Sequence, residues 1–238
     1  HTELETIYEE KNMSLTQDSR KVWEAMDAAL FPNHPYGTQT VLGTQEHLKN
    51  PSITNVRNYH KTYYVPNNMA VCVSGDFEPD EMVATIEKYF GDMQPNPNLP
   101  ELQFEPEKPI TTPVVKEVYG LEAANVMLGW RLPGANDKST DISDIVGSIL
   151  YNGLMRSFEE NDSRAILYVY SFISGADWAD EVARLDRMSK ITKQDVVEWA
   201  NKYLGPESYA IIYKREGKDP DEQKIAAPKI TPIVTNRD

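Results

Sequence analysis

The feature that most constrains the fold is a proline-rich stretch in the middle of the chain. Residues 94–113 include six prolines, at positions 95, 97, 100, 106, 109 and 113. Proline lacks a backbone N–H and fixes φ, so this density predicts an extended segment with no helix or strand of its own. We therefore predict residues 1–93 as one domain, residues 94–112 as a linker and residues 113–238 as a second domain.

A similar order of elements occurs on both sides of this linker. Residues 52–64 predict a helix that is followed by the turn Val-Pro-Asn-Asn, the apolar strand 69–74 and a helix over 80–90 with Pro79 at its first position. Residues 192–203 predict a helix that opens with a capping box at Thr192 and Asp195 and leads, through a short turn, to the strand 209–213. Such units are common in α+β proteins. Together with the linker, they favour an α+β fold of two related domains, each a mainly antiparallel sheet with helices packed on one side.

Composition excludes several classes of function. The 238 residues carry a net charge of -13, which opposes binding to a phosphate backbone, so we expect no nucleic-acid partner. We also expect no membrane span, because no apolar run is long enough. The compartment stays open, since any targeting segment would precede residue 1. The single cysteine, Cys72, lies in an alternating apolar run and is predicted to be a buried structural thiol.

The histidines do not form a recognised zinc motif. An inverted H-x-x-E-H motif around Glu46-His47 would need histidine at position 43, which is glycine. The H-E-x-x-H motif is also absent from the sequence. We therefore expect His34, His47 and His60 to be solvated or to cap helices.

The acidic helix near the start is the informative segment. Glu3, Glu5, Glu9 and Glu10 crowd its first turns, which by itself is explained by favourable interaction with the helix dipole. Glu3 and Glu10 are seven residues apart, so they lie on one helix face. Two carboxylates on one face also suit a metal ligand and a supporting group. Spacing alone does not choose between these interpretations.

Several segments, in order, resemble the pitrilysin/insulinase family of zinc metallopeptidases. The matching stretches are residues 3–13, Asp18, Val22, Phe31-Pro-Asn-His-Pro-Tyr-Gly37, Val41-Leu-Gly-Thr44, Tyr63-Tyr-Val-Pro-Asn-Asn-Met69, Gly75-Asp76, Tyr89-Phe90, Gly129-Trp130 and residues 195–204. The resemblance covers nearly the whole chain. No single stretch is specific, but their order and spacing are hard to obtain by chance.

The resemblance implies a zinc-dependent hydrolysis of peptide bonds. It matches Glu10 to the distal zinc ligand and Glu3 to an acidic residue that supports the site. The H-x-x-E-H helix, with two histidine ligands and the general base, would lie before His1. We therefore expect zinc in the intact parent, whereas this chain alone should neither bind zinc tightly nor cleave peptides. Expected partners are peptide substrates and a second half of the protein or a homologous subunit.

Two alternatives stay open. Some members of such a family lose the motif and serve as non-catalytic peptide-binding or scaffold subunits, and the upstream sequence would distinguish them. An acidic interaction domain with no family connection would leave the ordered matches as coincidence.

The second domain has few predicted strands for a sheet that must cover its helices. We therefore predict that residues are missing between Gly153 and Leu154. By the same resemblance, the first domain is represented only by its later part.

Overall fold

The computed structural model describes residues 2–43, 47–48, 51–147 and 160–220, and for residues 2–5 it describes the backbone alone. The predicted break between Gly153 and Leu154 lies outside these ranges. Contacts divide the chain into two units, each built from separate stretches of sequence. Unit 1 draws on residues 1–52, 104–129 and 209–238, and unit 2 on residues 53–103 and 130–208. The organisation around a linker at 94–112 stays a prediction.

The described elements of unit 1 include helices α1 to α3 and a three-stranded sheet. Its elements are α1 (Thr2–Leu15), α2 (Asp18–Leu30), α3 (Pro35–Thr38), β1 (Val114–Gly120), β2 (Asn125–Trp130) and β3 (Tyr209–Glu216). The strand order is β1-β3-β2, and β1 runs parallel to β3 with Val114 opposite Ala210. The α+β class is confirmed. Pairing between β1 and β3 is not antiparallel as expected, because the long chain between them permits a crossover connection.

The core of unit 1 forms where α2 packs on the sheet. Its buried members are Val22, Met26, Ala29 and Leu30 of α2 with Ala210 and Ile212 of β3. The helix residues recur at the spacing of one helical face, and the strand residues alternate as a half-buried strand requires. Trp23 lies at the edge of this face and is 58% exposed.

Unit 2 is mainly helical in its described part. Its elements are α4 (Ile53–Tyr63), a 3-10 turn (Pro66–Asn68), α5 (Pro79–Phe90), α6 (Thr140–Gly147), α7 (Asn161–Ser174), α8 (Trp178–Val182), α9 (Arg184–Met188) and α10 (Lys193–Tyr203). Pro79 occupies the first turn of α5, as predicted. Residues 178–188 form two short helices, which meet at Ala183. Within the described residues, no helix is long and apolar enough to cross a membrane.

The proline-rich stretch has neither helix nor strand between residues 94 and 112, as predicted. Reciprocal amide bonds anchor its first part. The side chain of Asn67 donates to the Asn96 carbonyl at 2.8 Å and accepts from the Asn96 N–H at 2.9 Å. Asn96 in turn donates to the Thr62 carbonyl at 3.1 Å. Side-chain amides therefore replace the backbone partners that prolines cannot provide.

The predicted strand at residues 69–74 is not formed, and the prediction for Cys72 is wrong with it. This segment is not assigned to a strand, and Val71 and Val73 are exposed. Without a sheet to cover it, Cys72 is exposed as well, and its thiol donates to the Ala165 carbonyl at 3.3 Å. Alternation predicted which residues would share a face, but it contained no information about a pairing partner.

The capping box predicted for α10 is present. The Thr192 hydroxyl accepts from the Asp195 N–H at 3.2 Å, and the Asp195 carboxylate accepts from the Thr192 N–H at 2.7 Å. These two bonds satisfy backbone donors that the first helical turn would otherwise leave unpaired. The Thr192 hydroxyl also donates to the Asp195 carboxylate at 2.6 Å, and this bond, followed by that from the Thr192 N–H, holds the pKa of Asp195 below its ordinary value.

Replacing Thr192 by alanine is expected to lower the free energy of unfolding by about 1 kcal/mol, the usual effect of losing an N-cap. Urea unfolding followed by far-ultraviolet circular dichroism would measure it. Thr192→Ser keeps the hydroxyl and should behave as the wild type. Equal unfolding midpoints for the alanine and serine variants would contradict the role of the cap.

Candidate functional site

Helix α1 carries both acidic residues that the sequence singled out. Glu3 and Glu10 lie in the same continuous helix, Thr2–Leu15, and their separation of seven residues places them two turns apart on one face. The Glu10 side chain is exposed. For Glu3 the structure describes the helical position alone. Helix α1 therefore presents Glu10 to solvent, where a ligand or another protein segment has access to its carboxylate.

Helix α1 is anchored to its neighbouring elements largely by polar side chains. Tyr8, Lys11 and Ser14 are each less than 8% exposed and lie at the i, i+3, i+6 spacing of one stripe. The Lys11 ammonium donates to the Thr40 hydroxyl at 3.2 Å and lies 4.0 Å from a carboxylate oxygen of Glu24. The sequence did not indicate that Lys11 is buried, because apolar periodicity takes no account of lysine.

A buried ion pair fixes the start of α2, the helix that follows α1. The Lys214 ammonium is 2.8 Å from the Asp18 carboxylate, and both side chains are at least 95% buried. The Glu122 N–H donates to the same Asp18 oxygen at 2.8 Å, while Lys214 also donates to the Glu122 and Ala123 carbonyls. The bond from Lys214 and then that from Glu122 hold the pKa of Asp18 below its ordinary value, although burial opposes this.

This ion pair is not accessible to a substrate. Gly120 lies so close that an added Cβ would be 1.8 Å from an Asp18 oxygen. The cluster therefore holds the backbone in position, because its bonds connect α2, β3 and the turn after β1. Its role in a site would be to hold the scaffold on which α1 rests.

The histidines behave as the sequence predicted. The Nδ1 atom of His34 accepts from the Tyr36 N–H at 3.2 Å and so caps α3. The His34 ring also packs against Tyr36 and Phe104, with both centroid distances at 4.4 Å. His47 and His60 are exposed. None of these contacts gathers histidines around α1.

A zinc ion fits only where enough metal-binding side chains lie close together. A catalytic zinc site takes three protein ligands. In the part of the chain that the structure describes, no three His, Cys, Asp or Glu side chains are grouped to hold a metal. Glu10 offers one carboxylate, and among the α1 side chains that the structure describes the buried charge is the cation of Lys11. The described donors alone do not fit a zinc ion.

The family of the chain follows from comparison with known proteins. A family profile described as "Peptidase M16 inactive domain" matches residues 52–179, which is more than half of the chain. The chain therefore belongs to the peptidase M16 family. The pitrilysin/insulinase resemblance that the sequence indicated is thereby confirmed, and the chain is a member of a family of zinc-dependent proteases.

Several curated relatives are named as zinc proteases, and others as insulin-degrading enzyme. An uncharacterized zinc protease of Mycobacterium leprae is 29% identical over 178 residues, which cover 71% of this chain and 39% of that protein. Insulin-degrading enzyme of Bos taurus is 26% identical over 123 residues, covering 49% of this chain and 12% of that enzyme. The matched part of the chain thus spans 39% of the length of the first of these relatives and 12% of the second.

Solved structures share the fold. A protease from Helicobacter pylori matches with a TM-score of 0.75 at 14% identity, covering 90% of this chain and 71% of that one. The first half of the periplasmic protease PqqL from Escherichia coli matches with a TM-score of 0.70 at 13% identity, covering 91% and 65%. At these identities the likeness supports the fold alone.

Proposed function

We propose that this chain is part of a zinc-dependent metallopeptidase that hydrolyses peptide bonds. The observation that carries the proposal is Glu10, an exposed carboxylate on α1 of a chain that belongs to the M16 family. In the intact parent, Glu10 is the distal zinc ligand, and Glu3 supports the site from the same helix face. The two histidine ligands and the general base are those of an H-x-x-E-H motif, which residues 1–238 do not contain.

The contacts of Lys11 support this assignment of Glu10. Because Lys11 and Glu10 are adjacent, the bond from Lys11 to Thr40 limits rotation of α1 and keeps Glu10 on the exposed side of the helix. A ligand carried on a helix with a fixed rotation needs little reorganisation to bind a metal. The substrates are peptides, and the partner is the second half of the protein or a homologous subunit.

One observation favours the other candidate function. The family profile that matches residues 52–179 is the one described as an inactive domain. A parent without an upstream H-x-x-E-H motif would use the same domains as a non-catalytic peptide-binding or scaffold subunit. The sequence upstream of residue 1 distinguishes the two candidates directly.

The chain itself is expected to be inactive. Purified protein should hold far less than one zinc per chain after dialysis, measured by plasma mass spectrometry. It should also leave a quenched fluorescent peptide uncleaved. The physical reason is that one carboxylate does not replace the three ligands of a catalytic site. One bound zinc per chain would overturn this expectation.

In a parent that contains the upstream motif, Glu10→Gln should lower zinc affinity by roughly 100-fold or more, because an amide is a poorer ligand than a carboxylate. Glu9→Gln is the matched control, since Glu9 is also exposed on α1 but points away from the Glu10 face. Equal zinc content in both variants would refute Glu10 as a ligand.

A further inference from the structure

The second part of the proline-rich stretch is fastened to the loop that precedes α3. One carboxylate oxygen of Glu107 accepts from the backbone N–H groups of Asn33 at 2.7 Å and His34 at 2.8 Å. Its other oxygen accepts from the Asn33 side-chain amide at 3.2 Å. The Phe104 ring packs on the His34 ring, with a centroid distance of 4.4 Å. Hydrogen bonds to an ionised carboxylate are stronger than neutral ones, so Glu107 fastens residues 104–110, which we call the strap.

The loop that receives the strap has little freedom of its own. The His34 carbonyl accepts from the Gly37 N–H at 3.0 Å and from the Thr38 N–H at 3.2 Å, which joins the loop to α3. A Cβ added at Gly37 would overlap the carbonyl oxygens of Phe31 and Asp27, so α3 lies directly against the end of α2. A close-packed segment of this kind transmits a displacement to its neighbours and absorbs little of it.

The residues that follow α3 bind helix α1. The Thr40 hydroxyl accepts from the Lys11 ammonium at 3.2 Å and donates to the Gly43 carbonyl at 3.1 Å. Lys11 is 6% exposed and is one of the buried anchors of α1. Successive contacts therefore lead from the strap through the loop and α3 to α1, and all of them lie within unit 1.

We propose that docking of the strap and anchoring of α1 are coupled, so that the strap controls how firmly the helix is held. The docked strap keeps the loop and α3 in the position where Thr40 meets Lys11, and release of Glu107 weakens that contact. Coupling between two such contacts is reciprocal, so loss of the bond from Lys11 to Thr40 also weakens docking of the strap.

The coupling concerns residues of unit 1 alone and does not depend on a metal. Its consequence for the site rests on the proposed function, because α1 also carries Glu10. A docked strap holds the Glu10 carboxylate in a fixed place, whereas a released strap leaves it less precisely placed. The two proposals fail separately, since hydrogen exchange reports the coupling and the zinc content of the parent reports the role of Glu10.

Hydrogen exchange of the full chain, followed by mass spectrometry of peptic fragments, tests the coupling. Glu107→Ala should raise the exchange rates of the loop at residues 31–38 and also those of α1, the latter by roughly fivefold, the lower end of usual coupling factors. Glu105→Ala is the matched control and should change neither, because Glu105 is an exposed carboxylate of the same strap. Faster exchange in the loop with unchanged exchange in α1 would overturn the proposal.

The reverse direction is tested at Thr40. Thr40→Val removes the hydroxyl that binds Lys11 and should raise exchange in the loop fragment that contains Asn33 and His34, whose N–H groups bind the strap. Thr40→Ser keeps the hydroxyl and should exchange like the wild type. Helix α10 in unit 2 is the reference for a general loss of stability, and circular dichroism checks that every variant is folded. Unchanged exchange in the loop of the valine variant, or an equal rise in α10, would also contradict the coupling.

Discussion

Replacing Lys214 by alanine is expected to lower the free energy of unfolding of unit 1 by about 3–5 kcal/mol, the usual effect of breaking a buried ion pair. The substitution leaves the Asp18 carboxylate buried without its cation and removes donors from the Glu122 and Ala123 carbonyls. Urea unfolding followed by the fluorescence of Trp23, which lies on α2, would measure the change.

The same pair makes stability depend on pH. Because the folded-state pKa of Asp18 lies below its ordinary value of about 3.9, the ionised form is stabilised by folding. This contribution is fully present above the unfolded-state pKa and is lost as the pH falls through the folded-state pKa. In the Lys214→Ala variant the loss should begin at higher pH, because the largest cause of the lowered pKa is gone.

Two controls separate the ion pair from a general effect of losing a lysine. Lys116→Ala removes an exposed lysine from β1 and should change stability by less than about 0.5 kcal/mol. A double variant, Asp18→Asn with Lys214→Met, removes both charges and should recover part of the loss. If Lys214→Ala and Lys116→Ala unfolded at the same urea concentration, the buried pair would contribute no stability.

Lys214 and Ile212 show which features of unit 1 could be predicted from the sequence and which could not. Alternation along residues 209–214 predicts a strand and puts Ala210, Ile212 and Lys214 on one face, which the structure buries. What alternation did not predict is that a lysine belongs to the core. Its partner, Asp18, comes from a distant part of the chain, so no local pattern contained the pairing.

The same distinction holds in unit 2. The capping box of α10 and the start of α5 at Pro79 depend on neighbouring residues, and both are present as predicted. The strand at residues 69–74 depends on a partner strand elsewhere, and neither it nor the burial of Cys72 followed from its composition. Properties set within one or two turns were predictable, whereas those set by tertiary pairing were not.

For the candidate site, helix periodicity established the shared face of Glu3 and Glu10, because both lie on one uninterrupted helix. The same periodicity did not indicate Lys11, whose burial depends on Thr40 and Glu24. One helix also does not determine which segments lie beside it, and the remaining ligands of a zinc site must come from such segments. This is why a role for Glu10 is testable only in a protein that supplies them.

The second large effect is expected at Asp141 in unit 2. Its carboxylate is 3% exposed and accepts from the Arg184 Nε at 3.0 Å and from the Arg187 Nε at 2.7 Å. The hydrogen bond that Arg187 donates to Asp141 raises the pKa of the Arg187 guanidinium above its ordinary value. Because α6 provides the carboxylate and α9 both arginines, this one side chain connects the two helices.

Asp141→Ala is therefore expected to lower the free energy of unfolding of unit 2 by about 3 kcal/mol, at the lower end for a buried pair because both arginines keep some solvent contact. The matched control is Asp144→Ala on the same helix. Asp144 also pairs with Arg184, but its side chain is 35% exposed, so its removal should have an effect of less than about 1 kcal/mol. Thermal and urea unfolding of the two variants would compare them. Equal destabilisation by both would mean that burial of the Asp141 carboxylate adds nothing to the ion pair.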